Sequence, residues 1–250
     1  MRGMRLGLFL VAATLGLALP AAGAGQNGER AGAETVRSCA REVPVGSARL
    51  AYVALARKPT VGFRAPGRRP FVRFARRNAN GLRTVFSIRR VVRDERCRPA
   101  WYRVQLPIRP NGVLGYVRAG TVDVGAVRTR IMVDLSARRL TLFRGGRRVL
   151  RVRVSIGSPA TPTPTGRFYV NQRVKAADPT GPYGPAALGV SAFSPVLTGW
   201  AQGGPIAVHG TNHPELIGQA VSTGCVRVRN AVIRRLFPAV PAGTPVRIRS

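Results

Sequence analysis

Apolar residues occur in this chain as short runs, and the clearest of them has a period of two. Leu150, Val152, Val154 and Ile156 alternate with Arg151, Arg153 and Ser155, which predicts a strand with one buried face and one solvated arginine face. Gly145-Gly146 just ahead of it predicts a hairpin turn from a strand over Leu140–Phe143. Phe168–Val170, Ala207-Val208 and Val246–Ile248 supply further strands. Ser158–Gly166 and Asp178–Gly189, both rich in Pro and Gly, read as loops. In the first half, Ala51–Ala56, Phe71–Phe74, Thr84–Ile88, Trp101–Leu106 and Gly115–Val117 are apolar runs. They are separated by Ala65-Pro66-Gly67, Asn80-Gly81 and Arg109-Pro110-Asn111-Gly112, and strands at that spacing suggest a small β-barrel. One helix is expected, Asn230–Phe237, with Asn230 as N-cap and Pro238 as stop. The fold class is mainly β, in two units: 39–124 and 129–250.

The first residues point outward. Met1-Arg2-Gly3-Met4-Arg5 is a short basic segment, Leu6–Leu19 is apolar, and Pro20 precedes the small-residue site Ala22-Gly23-Ala24. This is the layout of a secretory signal, expected to be cleaved after Ala24. The apolar run falls short of the ~20 residues a membrane span needs, although an uncleaved anchor is the other reading. Residues 25–38 read as a linker. The mature protein is then expected outside the membrane, in the cell wall or periplasmic space, with no stable membrane span. In such an oxidising compartment two of the three cysteines are expected to pair. Cys39 and Cys97 both lie in the first half, which leaves Cys225 free.

Composition narrows the chemistry. Forty-one basic residues against nine acidic ones give a net charge of +32, and all the cations but Lys58 and Lys175 are arginine. So few carboxylates and only two histidines leave little material for a carboxylate cage or a multi-histidine metal centre. The charge by itself suggests a nucleic-acid partner, but export removes that partner. It is better read as attraction to anionic cell-wall polymers, which would weaken with salt. Arginine in place of lysine is also what GC-rich coding would give.

The candidate chemistry is concentrated in one stretch. Val208-His209-Gly210-Thr211-Asn212-His213-Pro214 is followed by Ser222-Thr223-Gly224-Cys225-Val226-Arg227. A thiol needs a nearby base to act as a nucleophile at neutral pH, and imidazole is the usual partner. Gly224 permits a tight turn before Cys225, and the N–H groups of Thr223, Gly224 and Cys225 are candidates to face a developing oxyanion. Arg227 is suited to stabilise a thiolate or to bind a substrate carboxylate. Residue types alone leave catalysis and a merely buried Cys near a His equally open.

The whole string goes further. His209-Gly210-Thr211-Asn212, then Ser222-x-Gly224-Cys225-Val226-Arg227 with Asn230 following, resembles the L,D-transpeptidase (YkuD-like) catalytic domain across residues 131–250. Thr163-Pro164-Thr165-Gly166 and Gly243-Thr244-Pro245-Val246 resemble that family's Thr-Pro-x-Gly loop and closing strand. Trp101-Tyr102-Arg103-Val104, Leu106-Pro107, Arg109–Gly112 and Gly115-Tyr116-Val117 resemble a bacterial SH3-like domain, a binding or spacer module beside an enzyme or a purely structural one. The resemblance implies a small SH3-like barrel followed by a mostly β catalytic domain with one or two short helices. It also implies an enzyme of peptidoglycan stem peptides. Cys225 would be acylated at the position-three carbonyl with loss of D-alanine, and an amine would resolve the thioester into a 3→3 cross-link. Water as acceptor would make it an L,D-carboxypeptidase. Carbapenem-type inhibitors are expected to acylate the same cysteine, and no cofactor is implied. His209 is the expected base, oriented by a carbonyl for which Gly210 is the candidate. Ser222, Asn230, Tyr183 and Trp200 are candidates for substrate contact, although burial in the core is the more usual place for the two aromatics. Thr223 stands where many members have histidine, which bears on acceptor preference.

Other readings remain. His209, His213 and Cys225 supply three ligands for zinc, but Gly210 and Pro214 break any helix that would present the histidines together. The Ser-x-Gly-Cys-Val-Arg string fits a sortase-like enzyme poorly. A non-catalytic wall-binding protein is the alternative of a different class, and the intact Cys225 and His209 argue against it.

Overall fold

The computed structural model describes Cys39 and residues 41–199 and 204–250. The expected signal 1–24, the linker 25–38 and Trp200 lie outside the described residues. Two eight-stranded sheets account for most of the rest. The first uses β1 (Glu42–Pro44), β2 (Ala51–Ala56), β3 (Thr60–Phe63), β4 (Pro70–Phe74), β5 (Val85–Arg93), β6 (Pro99–Gln105), β7 (Leu114–Arg118) and β8 (Val122–Val127). Its order is β4-β3-β7-β6-β5-β2-β8, with β1 added on β5, and every pairing is antiparallel. The apolar runs of the first half therefore do form strands. β3 escaped because Gly62 weakens its pattern. That glycine is required, since a Cβ there would lie 2.6 Å from Val72 Cγ1.

The second sheet is built from β9 (Thr129–Asp134), β10 (Arg139–Arg144), β11 (Arg147–Arg153), β13 (Gly166–Lys175), β14 (Ala186–Phe193), β15 (Pro205–His209), β17 (Val226–Arg227) and β18 (Pro245–Arg249). Its order is β11-β10-β9-β18-β13-β14-β15-β17. A separate parallel pair joins β12 (Ile156–Gly157) to β16 (Ala220–Ser222). The β10–β11 hairpin turns at Gly145-Gly146, whose φ values of 58° and 89° are what a primed two-residue turn demands. Val208, Val226, Ile206 and Leu188 point to a core shared with Phe168, Ile131 and Leu140. The helix α1 (Asn230–Ala239) closes that core with Ile233 and Leu236, three residues apart and so on one helical face.

Four expectations need correction. The helix starts with Arg229 at the N-cap and Asn230 as its first residue, without a side-chain cap. The Asn230 amide oxygen instead accepts the Thr211 N–H at 2.9 Å, a tertiary partner that outcompetes the local cap. Pro238 lies inside the helix, which runs one further residue to Ala239; the Val240 N–H still reaches Leu236 O at 2.9 Å, so the proline removes one donor without ending the turn. β8 carries the first sheet to Val127, past the expected boundary at 124, and β14 takes Ala186–Gly189 out of the expected loop.

Cys39 and Cys97 form a disulfide with Cα atoms 5.7 Å apart, and Cys225 is free. Among the described residues no helix is long and apolar enough to cross a membrane.

Arg128 alone separates β8 from β9, and both sheets belong to one compact unit. The junction is buried and mainly apolar at its centre. Tyr169 on β13 is fully buried and packs with Val53, Val85 and Val127 of the first sheet. Its hydroxyl donates to Val85 O at 2.9 Å and lies 3.2 Å from Gln105 O, and burial raises its pKa, keeping it protonated. Gln105 Nε2 returns a bond to Arg167 O at 2.8 Å. Removing the hydroxyl takes the donor from Val85 O in a fully buried site. Tyr169→Phe should therefore cost about 1–3 kcal/mol of stability, read from urea unfolding of the full chain; an unchanged midpoint would show that the two sheets do not depend on this contact.

Candidate active site

The site follows from alternation along four neighbouring strands. β15 pairs with β17 in parallel, with Val208 opposite Val226 and His209 opposite Arg227. Val208 and Val226 face the core. Side chains alternate across a strand, so Ala207 and His209 point to the opposite face, with Arg227 and the Cys225 that precedes it. β14 extends that face through Ala187, opposite His209, and Gly189, opposite Ala207. β13 adds Gln172 opposite Gly189 and Val174 opposite Ala187. These residues line a cavity of about 530 Å³ together with Tyr183, Leu197, Thr223 and Asn80. The small residues Ala187, Gly189 and Ala207 make its depth.

The loop that carries Cys225 is held by its own backbone and by its neighbour. Gly224 has φ +110°, a region L side chains rarely adopt, and a Cβ there would come 2.9 Å from Ile206 Cδ1. Ser222 Oγ donates to Cys225 O at 2.5 Å and accepts the Gly224 N–H at 3.2 Å. The 158–165 loop braces this turn from behind. Thr161 Oγ1 donates to Ser222 O, and Thr163 Oγ1 to Gly224 O, each at 2.9 Å. The Gly157 N–H in turn donates to Thr163 Oγ1 at 2.8 Å.

His209 is 3% exposed. Its Nδ1 lies 2.6 Å from Gly210 O. A carbonyl only accepts, so the proton sits on Nδ1 and the Nε2 lone pair is free to act as a base. Burial pushes the His209 pKa down to about 4; the Gly210 bond opposes this and the nearby Arg227 charge adds to it. The imidazole is neutral at neutral pH. Burial raises the Cys225 pKa, against the Ala207 N–H and the Arg227 charge, which lower it. The pair at rest is therefore thiol and neutral imidazole. Tyr183 stands edge-on to His209 with ring centroids 5.0 Å apart.

The loop bearing His209 is fixed by close packing. A Cβ on Gly210 would overlap Asn230 Oδ1 and come 3.0 Å from Pro185 Cδ. A Cβ on Gly184 would likewise overlap Asn230 Oδ1 and lie 2.8 Å from the Gly210 Cα. Asn230 thus holds the backbone of Thr211, two residues after His209.

Of the residues expected at the site, Cys225, His209, Thr223, Arg227 and Tyr183 meet in the cavity. Tyr183 is 54% exposed, so it is a rim residue and not a core aromatic. Ser222 and Asn230 differ from their expected role in substrate contact. Both are turned away from the cavity and shape the loops behind it, and the Gly224 N–H, expected to face an oxyanion, is already taken by Ser222. His213 pairs with Glu215 at 3.0 Å and does not join His209 and Cys225, which removes the geometric basis of a zinc site. Among the described residues no three His, Cys, Asp or Glu side chains converge on a metal position.

Several contributors carry little signal in the sequence. Thr163 stands out in the sequence only through the Thr-Pro-x-Gly resemblance, which says nothing of its bond to Gly224 O. Gln172-x-Val174-x-Ala176 and Ala187-x-Gly189 do have the period of two, but their alanines and glycine lack apolar weight. Asn80 arrives from the first sheet's long loop, where Asn80 Nδ2 and Asn78 Nδ2 donate to Gln172 Oε1 at 2.7 and 3.1 Å.

The profile of the L,D-transpeptidase catalytic domain (YkuD) matches residues 128–248. The YkuD protein of Bacillus subtilis (strain 168) is 35% identical over 129 residues, covering 52% of this chain and 71% of that protein. YkuD of Bacillus licheniformis is 36% identical over 119 residues, covering 48% of this chain and 64% of that one. Among solved structures, an Enterococcus faecium L,D-transpeptidase aligns at 24% identity and a TM-score of 0.37, covering 48% of this chain and 49% of that chain. This chain belongs to the YkuD-like L,D-transpeptidase family.

Proposed function

We propose that the protein is an exported peptidoglycan L,D-transpeptidase in which Cys225 is the nucleophile and His209 the base. The observation that carries this reading is the His209–Gly210 hydrogen bond. It leaves a neutral Nε2 acceptor on the same sheet face, and in the same cavity, as the thiol. As Cys225 Sγ attacks the position-three carbonyl, its proton passes to His209 Nε2. The N–H groups of Thr223 and Cys225 are the donors left in the nucleophile loop for the oxyanion. Collapse breaks the C–N bond, and the departing D-alanine amine takes the proton from His209. The thioester is then attacked by the side-chain amine of a second stem, which returns a proton through His209 and releases Cys225. Arg227, whose Nε is buried without a hydrogen-bond partner, is suited to a stem-peptide carboxylate. Its charge also favours the thiolate over the thiol.

The proton inventory supports a carbonyl as the group that orients the histidine. The second sheet and its loops hold three acids, and each is engaged elsewhere. Asp134 binds Arg249 at 2.6 Å, Asp178 accepts from Thr180 N and Oγ1, and Glu215 holds His213.

Purified protein given a disaccharide-tetrapeptide should form 3→3 dimers, and Cys225→Ala should abolish them. Tripeptide without dimer would identify water as the acceptor, and dimers made by Cys225→Ala would sink the assignment. A carbapenem should add to the intact protein, by mass, at one site that Cys225→Ala removes.

The pH profile provides a separate check. The working pair needs neutral His209, which is present above its pKa of about 4 and lost as pH falls through it. The acid limb of kcat/KM should lie near pH 4, well below the ordinary histidine value of about 6.5, with a plateau through pH 6–7. An acid limb at 6–7 would contradict a desolvated neutral imidazole.

A further inference from the structure

A second cavity, of about 610 Å³, opens at the junction of the two sheets and shares no lining residue with the catalytic one. Its walls carry five arginines, Arg49, Arg89, Arg130, Arg167 and Arg247, and no acidic residue. Strand register puts three of them together. Arg167 on β13 stands directly opposite Arg247 on β18, and Arg247 stands opposite Met132 on β9, so Arg130 shares their face. Like charges directly opposed in a ladder are destabilising. Arg89 approaches from β5 and Arg49 from the loop between β1 and β2.

Among the described residues no acidic side chain pairs with this group. Glu42, the acid nearest in sequence to the β1–β2 loop, is held by Arg90 at 2.9 Å, and Asp134 by Arg249. The Arg130 Nε is buried without a hydrogen-bond partner, while its guanidinium is fixed over the Phe143 ring, 4.6 Å from the centroid. Arg89 is held by Gln105 Oε1 at 2.5 Å. Burial, and then the Arg167 charge, work against its ionised form.

We propose that this cleft binds a phosphate polyanion: a segment of a phosphodiester-type polymer that places several phosphates among the five guanidinium groups. A carboxylate accepts in one plane, whereas a tetrahedral phosphate presents acceptors in several directions. Guanidinium forks reaching in from two sheets and a loop can thus share one phosphate. The volume exceeds what a single phosphate fills, which favours a multivalent chain.

The test uses the full chain at about 0.15 M salt, where the Debye length of about 8 Å suppresses diffuse attraction. Calorimetry with inorganic tripolyphosphate should give saturable binding. Arg167→Gln/Arg247→Gln should weaken it about ten-fold or more, and Arg130→Gln alone several-fold. Arg148→Gln/Arg151→Gln, equal in charge but exposed on β11, should change it less than about two-fold. Without ligand, Arg167→Gln/Arg247→Gln should melt at or above the wild-type temperature, because it removes an opposed like-charge pair. A lower melting temperature would overturn the reading of these arginines as unneutralised. Equal weakening by the β11 pair would reduce the binding to net charge and overturn the site. Polyglutamate binding as tightly as tripolyphosphate would overturn the phosphate class, and orthophosphate binding as tightly would overturn the polymer.

Discussion

The parallel pairing of Pro205–His209 with Val226–Arg227 is the constraint on which the rest of the catalytic sheet depends. One register satisfies two demands at once. It sends Val208 and Val226 into the core, and it places His209, Cys225 and Arg227 on the open face. A slip by one residue would turn the valines out of the core and send an arginine and an imidazole into it, so the hydrophobic core itself enforces the geometry of the site. The short β17 cannot hold this register alone. It is fixed at its entrance by the Gly224 turn and the Ser222 and Thr163 hydroxyls, and at its exit by the Val228 N–H bond to His209 O at 2.9 Å.

That architecture explains a site with almost no acids. In a triad with a carboxylate, the third member both orients the imidazole and stabilises its cation. Here the Gly210 carbonyl orients the ring with a dipole alone, and burial keeps the imidazole neutral. A strongly cationic protein can hold such a site without dedicating a buried carboxylate to it. The carbonyl must then be immobile. Gly184, Gly210 and Asn230 meet too closely for any Cβ, so the rigidity comes from packing, and Asn230 is better understood as part of the mount than as a ligand.

The stretch that carries the candidate site was the most legible part of the sequence, because both histidines and the unpaired cysteine, rare types in this chain, fall in one compact string. The β10–β11 hairpin was also legible, through a two-glycine turn between alternating strands. Ser222, Thr163 and Asn230 were not, since a hydroxyl or amide in a loop has the same appearance whether it faces a substrate or its own backbone. Only the folded register shows that their bonds run backward to Cys225, Gly224 and Thr211. Tyr183 does stand in the cavity lining, as a candidate for substrate contact should, but an aromatic in a Pro/Gly-rich loop has no periodicity to say whether it faces core or cleft, and the sequence left both open. The junction was invisible because Tyr169, Gln105 and Val85 each sit in an ordinary strand pattern, and their meeting depends on how the two sheets dock.

The abundance of arginine also reads differently in the structure. With nine acids in the chain, ion pairing cannot be the main use of forty-one basic residues. Much of the arginine instead crosslinks backbone and aromatic surfaces. Arg83 reaches the carbonyls of Leu55 and Ala56, Arg138 that of Gly218, and Arg173 that of Phe237 while stacking on its ring. Arg118 lies over Trp101, 4.6 Å from its centroid. A planar fork with five donors can serve a carbonyl and a ring at once, which the point charge of lysine does poorly. The excess charge is therefore partly a structural material. Arg167 and Arg247 stand outside that pattern, since they are neither ion-paired nor set over a ring among the described residues and face each other across a ladder where repulsion is greatest. The fold tolerates the pair only because both side chains reach an open cleft where solvent, or an anion, can lie between them.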